Sequence, residues 1–541
     1  MATVSFNEQY ALRHACPQRA AITRLLGALA LAAPFLFGIV SRPAYAQGGT
    51  MKMTRTAEIP LSYRICSNPV VWRPSPREPW LIALVGGEAA HRRGVTTFID
   101  ALYPDGRRKS GILFGFPVLR KYPPKVPPAN NIAAADLDGG GSAELSVIDS
   151  DGGLRAFKSN GRSAGWTGHG NPVHSFLVWQ PMRASVGGAS ALLLVSRDAE
   201  TISSSKDAVD LIAANGKSYP GFPVELPSAA EQRQPIIDPA AGRAFILLEN
   251  GQVEAFQLAG GSRPPGFPAG PDAPDVIAGT RQMAMLPGAK AIFISNGTDT
   301  LTRIDAASGA ATSVIIPGAQ RLTGLAGAGE RLYAFDDAAN RLISLDAKGA
   351  TLSSLQLNLP RSSRCYSLQA VETGPETVAV LLASSPDPDP HIKVAAVFEK
   401  LATPEAKKKV REIADADWQS AYGTLKRDAA QRMEYDNNVA DMQRSYLEHH
   451  LGETAASDML ADEPLTSVQA IRDGGGSLSV VMEDRIDGYV PATGFAVSPT
   501  VLPAATIDAG GLVWVVPANI GEREDPKANN RSLLRIYKMQ P

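Results

Sequence analysis

Short apolar runs alternate with turn residues along most of the chain. Trp80-Leu81-Ile82-Ala83-Leu84-Val85, Ala191-Leu192-Leu193-Leu194-Val195, Phe245-Ile246-Leu247-Leu248, Val378-Ala379-Val380-Leu381-Leu382 and Leu512-Val513-Trp514-Val515-Val516 contain no polar residue. Runs of this length, bounded by turn signals, fit strands buried on both faces. A second kind of strand ends in a Gly-containing turn, as in Leu102-Tyr103-Pro104-Asp105-Gly106 and Leu211-Ile212-Ala213-Ala214-Asn215-Gly216. The turn glycines fall at 106, 161, 216, 261, 309 and 349, with spacings of 55, 55, 45, 48 and 40. Asp-Gly and Asn-Gly provide the positive φ of a tight hairpin. A Gly-aromatic-Pro element follows at Gly115-Phe116-Pro117, Gly221-Phe222-Pro223 and Gly266-Phe267-Pro268, with a partial copy at Gly165-Trp166 and a late echo at Gly494-Phe495-Ala496-Val497. Proline suits an outermost strand, where a missing N–H leaves no ladder bond unmade.

A period of 40 to 55 residues is that of one four-stranded propeller blade. The pattern predicts an all-β chain folded as a seven- or eight-bladed β-propeller, with eight favoured. Strand-like segments also lie at both ends of the mature chain, Ala57-Glu58-Ile59-Pro60-Leu61 and Leu533-Leu534-Arg535-Ile536-Tyr537-Lys538-Met539. A ring leaves no unpaired edge if these two share the final blade.

One late segment changes period. Thr403, Pro404 and Glu405 make a helix start. Apolar positions then recur every three or four residues through Val410, Ala414, Trp418, Tyr422, Leu425, Ala429, Met433, Val439, Met442 and Tyr446, and Leu451-Gly452 is a stop. A break near Gly423 or Asn437-Asn438 would make the segment a hairpin. The organisation predicted is 1–46 signal segment, 47–402 first part of the propeller, 403–461 helical insertion in a late blade, and 462–541 closing blades. The insertion reads either as an arm or lid that offers Trp418, Tyr422 and Leu425 to a partner, or as a decoration packed on the blades. The stripe from Trp418 to Met442 is expected to be packed. His449 and His450 point about 100° apart on a helix, so they are poor co-ligands and better matched to the helix C-terminal dipole.

Composition narrows the functions. The chain has 541 residues, 44% hydrophobic and 20% charged, with a net charge of -1. That excludes a disordered chain and gives no basic surface for nucleic acid. Leu25 to Val40 is uncharged and apolar, Arg13, Arg19 and Arg24 precede it, and Ala44-Tyr45-Ala46 follows. This is the pattern of a secretory signal cleaved after Ala46. As a helix it would span about 24 Å, short of a ~30 Å hydrocarbon core. A periplasmic or secreted bacterial protein is the reading, with membrane contact only if the segment stays uncleaved. Two cysteines remain in the mature chain, Cys66 and Cys365. In an oxidising compartment they either pair or persist as two buried thiols.

The segment Ala134-Ala135-Asp136-Leu137-Asp138-Gly139-Gly140-Gly141-Ser142-Ala143-Glu144-Leu145 resembles the FG-GAP/VCBS repeat of integrin-alpha-like propellers, a strand, then D-x-D-G-D-G-x-x-(D/E), then a strand. The resemblance covers about residues 100–270. It implies a loop that holds Ca²⁺ through carboxylates at its first, third, fifth and ninth positions. Asp136, Asp138 and Glu144 match; the fifth position is Gly140, so one ligand is missing. Oxygen ligands on a Gly-rich turn suit a hard cation. The other reading is a turn whose Asp side chains cap backbone N–H groups. Beyond this possible Ca²⁺, no cofactor is implied.

Neither G-x-S-x-G nor H-E-x-x-H occurs. Leu332-Tyr333-Ala334-Phe335-Asp336 superficially resembles the repeats of quinone-cofactor propeller dehydrogenases, but the six Trp, at 72, 80, 166, 179, 418 and 514, show no period. The expectation is a non-catalytic propeller that binds a macromolecule, an envelope protein or a surface polymer. The alternatives are a channel enzyme acting on a quinone or sugar, and a Ca²⁺-stabilised adhesin.

Overall fold

The computed structural model describes residues 52–540 except 66, 76, 91–93, 110–113, 117–131, 149–153, 165–174, 178–180, 199–206, 232, 272–280, 360–362, 375, 387–389, 423–428, 453–464, 488–503, 509–510 and 521–530. The signal-like segment and the late Gly494-Phe495 echo lie outside the described residues. Among those described, no helix is long and apolar enough to cross a membrane.

The described strands form eight antiparallel sheets, numbered here in chain order. Sheet 1 holds Arg64–Ile65, Val70–Trp72, Leu81–Ala90, Gly94–Leu102 and Phe114–Phe116. Sheet 2 holds Ile132–Ala135, Glu144–Ile148 and Leu154–Phe157. Sheet 3 holds Ser175–Leu177, Met182–Val186, Ala189–Asp198, Ala208–Ala213 and Val224–Glu225, and sheet 4 holds Ile236–Asp238, Arg243–Leu247 and Val253–Gln257. Sheets 5 and 6 are four-stranded meanders, Gln282–Leu286 to Ala311–Ile315 and Leu322–Ala328 to Thr351–Gln356. Sheet 7 pairs Ser363–Gly374, Thr377–Pro386, Leu465–Gly474 and Leu478–Asp487. Sheet 8 pairs Ala504–Asp508, Gly511–Ile520 and Arg531–Gln540, and its outer strand is Lys52–Leu61 from the other end of the chain. The register runs Ile59 opposite Leu534 and Glu58 opposite Arg535. The two ends therefore do share a sheet.

Consecutive sheets are joined by separate apolar clusters. Trp72, Val85, Ile99 and Leu145 lie between sheets 1 and 2; Ala135, Ala156 and Leu192 between 2 and 3; Leu193, Leu211, Ile246 and Phe256 between 3 and 4. Phe245, Ile292 and Ile304 join 4 to 5; Phe293, Leu325 and Leu332 join 5 to 6; Phe335, Val380 and Leu382 join 6 to 7. Leu381, Val468, Trp514 and Tyr537 join 7 to 8. Leu61, Leu84, Val515 and Ile536 join 8 back to 1, which closes the circuit. The strand Gly511–Ile520 shows why its run is apolar throughout: Leu512, Trp514 and Val516 face sheet 7 while Val513 and Val515 face sheet 1. A period of two places successive side chains on opposite faces, and both faces are dry. Sheets packed face to face in a closed circuit make the β-propeller that the repeat predicts.

The turn glycines behave as their chemistry demands. Gly106, Gly161, Gly216, Gly261, Gly309 and Gly349 all have φ between 67° and 86°. In three of the turns a side chain two residues back from the closing N–H caps it: Asp105 for Arg107, Asn160 for Arg162 and Asn215 for Lys217, each at 3.0 Å. Proline sits where the missing N–H is harmless. Val224–Glu225, directly after Pro223, is the outermost strand of sheet 3.

The helices leave sheet 7 between Thr377–Pro386 and Leu465–Gly474. They are α1 (Pro390–Leu401), α2 (Pro404–Tyr422) and α3 (Ala429–Leu451). The helical run begins at Pro390, ahead of the Thr403 start that the sequence predicts, so α1 lies within the 47–402 segment expected to belong to the propeller. Thr403 caps α2, its Oγ1 accepting from Ala406 N at 3.2 Å. The first expected break, at Gly423, falls in 423–428, outside the described residues, while α3 passes straight through Asn437-Asn438 to end before Gly452, whose φ is +83°. Val394, Phe398, Ala402, Val410 and Leu447 form a cluster that, among the described residues, draws on the helical segment alone.

Candidate functional site

The acidic loop connects the first two strands of sheet 2, with Ala135 and Glu144 paired at its base. Two anchors fix it. Leu137 is buried between sheets 2 and 3, and the Trp72 indole of sheet 1 donates to the Ala143 carbonyl at 2.8 Å. Gly139 and Gly141 take φ of +71° and +77°, which lets the short loop curl over its own carboxylates. Ligand-type oxygens of Asp136, Asp138 and Glu144 lie within 4.8 Å of one another.

Each carboxylate is held. Glu144 is buried and accepts from Leu137 N at 2.9 Å. Burial pushes its carboxyl above the usual carboxylate range; the Leu137 N–H opposes this, and Asp138 and Asp136 add to it. Asp138 Oδ1 accepts from Gly140 N at 2.8 Å, and Asp136 Oδ2 accepts from Gly141 N at 3.0 Å. The Asp side chains thus do cap the turn. Asp136 Oδ1, however, is buried without a hydrogen-bond partner. An orphaned carboxylate oxygen beside two further acids fits a hard cation. Lys158, on the neighbouring hairpin, places its Nζ 3.5 Å from Asp138 Oδ2.

The residues expected to dock a partner are only partly described. Trp418 is buried at 3% exposure, edge-on to Tyr435 at 6.0 Å, and the Tyr435 hydroxyl donates to Asp415 at 2.7 Å. Its ring packs inside the helical unit. Tyr422 is the last residue of α2, and Leu425 lies outside the described residues. Among the described residues, the large apolar side chains that the helices expose are instead Leu401 and Ile413. His450 donates through Nδ1 to the Tyr446 carbonyl at 2.9 Å and stacks on the Tyr446 ring at 3.8 Å.

Cys365 is a free thiol, and Cys66 lies outside the described residues. Burial pushes the Cys365 thiol well up, Asp337 adds to the shift and Arg233 opposes it. The protonated form is a poor nucleophile. Gly324 faces it so closely that a Cβ there would lie 2.6 Å from Sγ.

Three tyrosine–aspartate pairs escaped the sequence reading. Tyr63 donates to Asp100 at 2.6 Å, Tyr333 to Asp473 at 2.9 Å and Tyr537 to Asp484 at 2.9 Å. An arginine completes each: Arg108 at 3.0 Å, Arg331 at 2.7 Å and Arg535 at 2.9 Å. Burial, and then the adjacent carboxylate, push all three phenols far up, so they stay neutral donors. Tyr333–Asp473 ties sheet 6 to 7 and Tyr537–Asp484 ties 8 to 7. Another buried charged group lies at sheets 4 and 5, where Arg281 approaches Glu231 at 3.7 Å and Arg233 Nε donates to the Arg281 carbonyl at 2.8 Å.

No family model matches the chain, and no curated protein does. Among solved structures, the chain is similar to BamB from Moraxella catarrhalis at 10% identity, over 61% of this chain and 96% of that one, with a TM-score of 0.34. It is similar to the C-terminal WD40 domain of Sif2 at 12% identity, over 63% and 85%, with a TM-score of 0.39. It is also similar to U3-55K at 11% identity, over 75% and 98%, with a TM-score of 0.39. The fold assignment above rests on the sheet order and the seams between sheets.

Proposed function

We propose that this chain is an eight-bladed, non-catalytic β-propeller of the FG-GAP/VCBS kind, exported to the bacterial cell envelope, where it binds a macromolecular partner. The observation that carries the reading is the helical unit. Its apolar cluster is built from its own segment, while the eight seams between sheets are filled by residues of the ring. An appendage that the ring's packing does not require suits an interface. With a net charge of -1, recognition rests on shape and apolar contact rather than long-range attraction.

The test removes the appendage. Ser384 and Ser467 are paired neighbours in sheet 7, so a short turn can replace residues 387–464. The truncated ring is expected to unfold cooperatively and to lose the partner that the full mature chain crosslinks in envelope extracts. Recovery of the same partner by the truncated ring defeats the assignment of the interface to the helices. Export is tested separately, by N-terminal sequencing of the mature protein, expected to start at Gln47.

A second reading is favoured by the orphaned Asp136 Oδ1: the acidic loop takes Ca²⁺. Asp136, Asp138 and Glu144 would hold the ion. Bound there, it would offset two of the three clustered carboxylate charges and brace the loop between the first two strands of sheet 2. A ligand that binds only the folded state raises its stability. Ca²⁺ is therefore expected to raise the thermal midpoint relative to chelator, and identical midpoints defeat the reading.

A further inference from the structure

The buried face of α2 is set by Val410, Ala414 and Trp418. Turned about 100° from its centre, Ala406, Lys409, Ile413, Ala416 and Ser420 follow at steps of three and four, the seam spacing of a helix pair. This second stripe lies open. Ala406 is half-buried, the other four are exposed, and Ile413 keeps 43% of its surface in solvent. Ile413 is also the middle residue of the 19 in α2, with Lys409 one turn before it and Asp417 one turn after. The other charges around them are answered within the chain. Lys407 and Arg411 reach Glu399 at 3.0 and 3.8 Å, Lys408 reaches Glu412 at 3.6 Å, and Asp415 accepts from Tyr435. Glu405 sits in the first turn, where the helix dipole favours an acid. Lys409 and Asp417 are exposed and, among the described residues, make no ion pair or side-chain hydrogen bond. They stand two turns apart on one helix, about 12 Å, and do not meet each other.

We infer that this stripe is the contact for a second copy of the chain, the two α2 helices lying antiparallel about a two-fold axis at Ile413. Such an axis sets Ile413 against Ile413, and Lys409 against Asp417 of the second copy once on each side, so the face is its own complement. Ala416 and Ser420 are small and let the two backbones approach. Glu412, the other acid beside the axis, already has Lys408 as its counter-ion. A parallel pair would instead set Lys409 on Lys409 and Asp417 on Asp417. An unrelated partner would have to bring a base and an acid one turn to either side of an apolar residue; a second copy carries that arrangement already. The seam from Ala406 to Ser420 is about 21 Å long. A seam of that length by itself falls short of a standard ~1,600 Å² interface, so the dimer is expected to exchange with monomer in the micromolar range. The inference goes beyond the partner reading above and depends neither on it nor on export.

Sedimentation equilibrium of the purified mature chain over a range of concentrations tests this. The wild type is expected to form a dimer that weakens as salt is added. Lys409→Asp and Asp417→Lys should each weaken it at least about tenfold, since each sets two pairs of like charges face to face. An equimolar mixture of these two variants should recover the wild-type association, because each supplies the charge that the other lacks. The chain carrying both changes should dimerise by itself. Ile413→Ser should weaken the dimer, whereas Ile315→Ser, which alters an exposed isoleucine of sheet 5, should leave it unchanged. A wild type still monomeric at roughly 100 µM overturns the inference, and leaves the crosslink in envelope extracts as a separate question. A dimer indifferent to both charge reversals, or one lost in Ile315→Ser, puts the contact elsewhere and overturns it equally.

Discussion

Gly221 and Gly261 meet backbone to backbone across the seam between sheets 3 and 4. A Cβ on either would fall well inside the other segment's carbonyl, Gly260 O in one direction and Gly221 O in the other. The same relationship repeats one sheet on, where Gly266 meets Ser308-Gly309. The Gly-aromatic-Pro element of one repeat and the turn glycine of the next are thus two halves of one contact. Gly261→Ala has both a φ of +67° and a backbone collision against it, and is expected to cost more than ~2 kcal/mol in denaturant unfolding. Gly188→Ala is the control: φ is +86° but nothing lies within 4 Å, so strain alone, about 1–2 kcal/mol, is expected.

The helical unit should melt by itself. Trp418→Ala removes a buried indole from the α2–α3 contact, a loss of about 3–5 kcal/mol at a core position. Hydrogen exchange should accelerate across α1 to α3 and stay unchanged in the strands of sheet 7. Faster exchange throughout the sheet would show that ring and helices unfold as one.

Glu144 gives a pH dependence of defined sign. Its folded pKa is raised above the unfolded value, so the folded state holds its proton more tightly. The group's contribution to stability is full below the unfolded pKa and is lost as pH rises through the raised folded value. Without divalent ions, Glu144→Gln is expected to flatten the decline in thermal midpoint between acidic and neutral pH. A parallel decline in both proteins would remove Glu144 as its source.

Gly140 is where the loop departs from the repeat it resembles. A Cβ there meets Asp138 Oδ1 at 2.7 Å, so Gly140→Asp must turn the Asp138 side chain away from the Gly140 N–H. It also adds a fourth carboxylate. The variant is expected to lose stability in chelator and regain more than the wild type does in Ca²⁺. Equal responses to Ca²⁺ in the two proteins would show that the fifth position does not face the ion.

What could be read from one sequence follows from physical range. Gly106, Gly161 and Gly216 were readable because a left-handed turn position admits few residue types. The strand Leu512 to Val516 was readable because double burial leaves no place for a polar side chain. Trp418 was readable as packed, yet its partner Tyr435 was not, since spacing reports a face and not what covers it. The helix α1 was missed: Val394, Phe398 and Leu401 carry the right spacing, but the helix is short and follows the proline-rich Pro386-Asp387-Pro388-Asp389-Pro390. Tyr333 and Asp473 stand 140 residues apart, and nothing local to either announces the other. For the acidic loop, the residue types were visible. The lysine that reaches them was not, because only the register of sheet 2 brings it there.

The pairing of Lys52–Leu61 with Arg531–Gln540 has a consequence for biogenesis. Glu58 and Arg535, 477 positions apart, bond at 2.9 Å, so the strand Lys52–Leu61 lacks this partner until Arg531–Gln540 has been synthesised. Until then that strand must wait without this partner, its ladder groups exposed to any passing chain. A nascent polypeptide stalled before Arg531 would leave Ile59 and Leu61 without their cross-strand neighbours, and such a fragment should be the form that chaperones and proteases recognise.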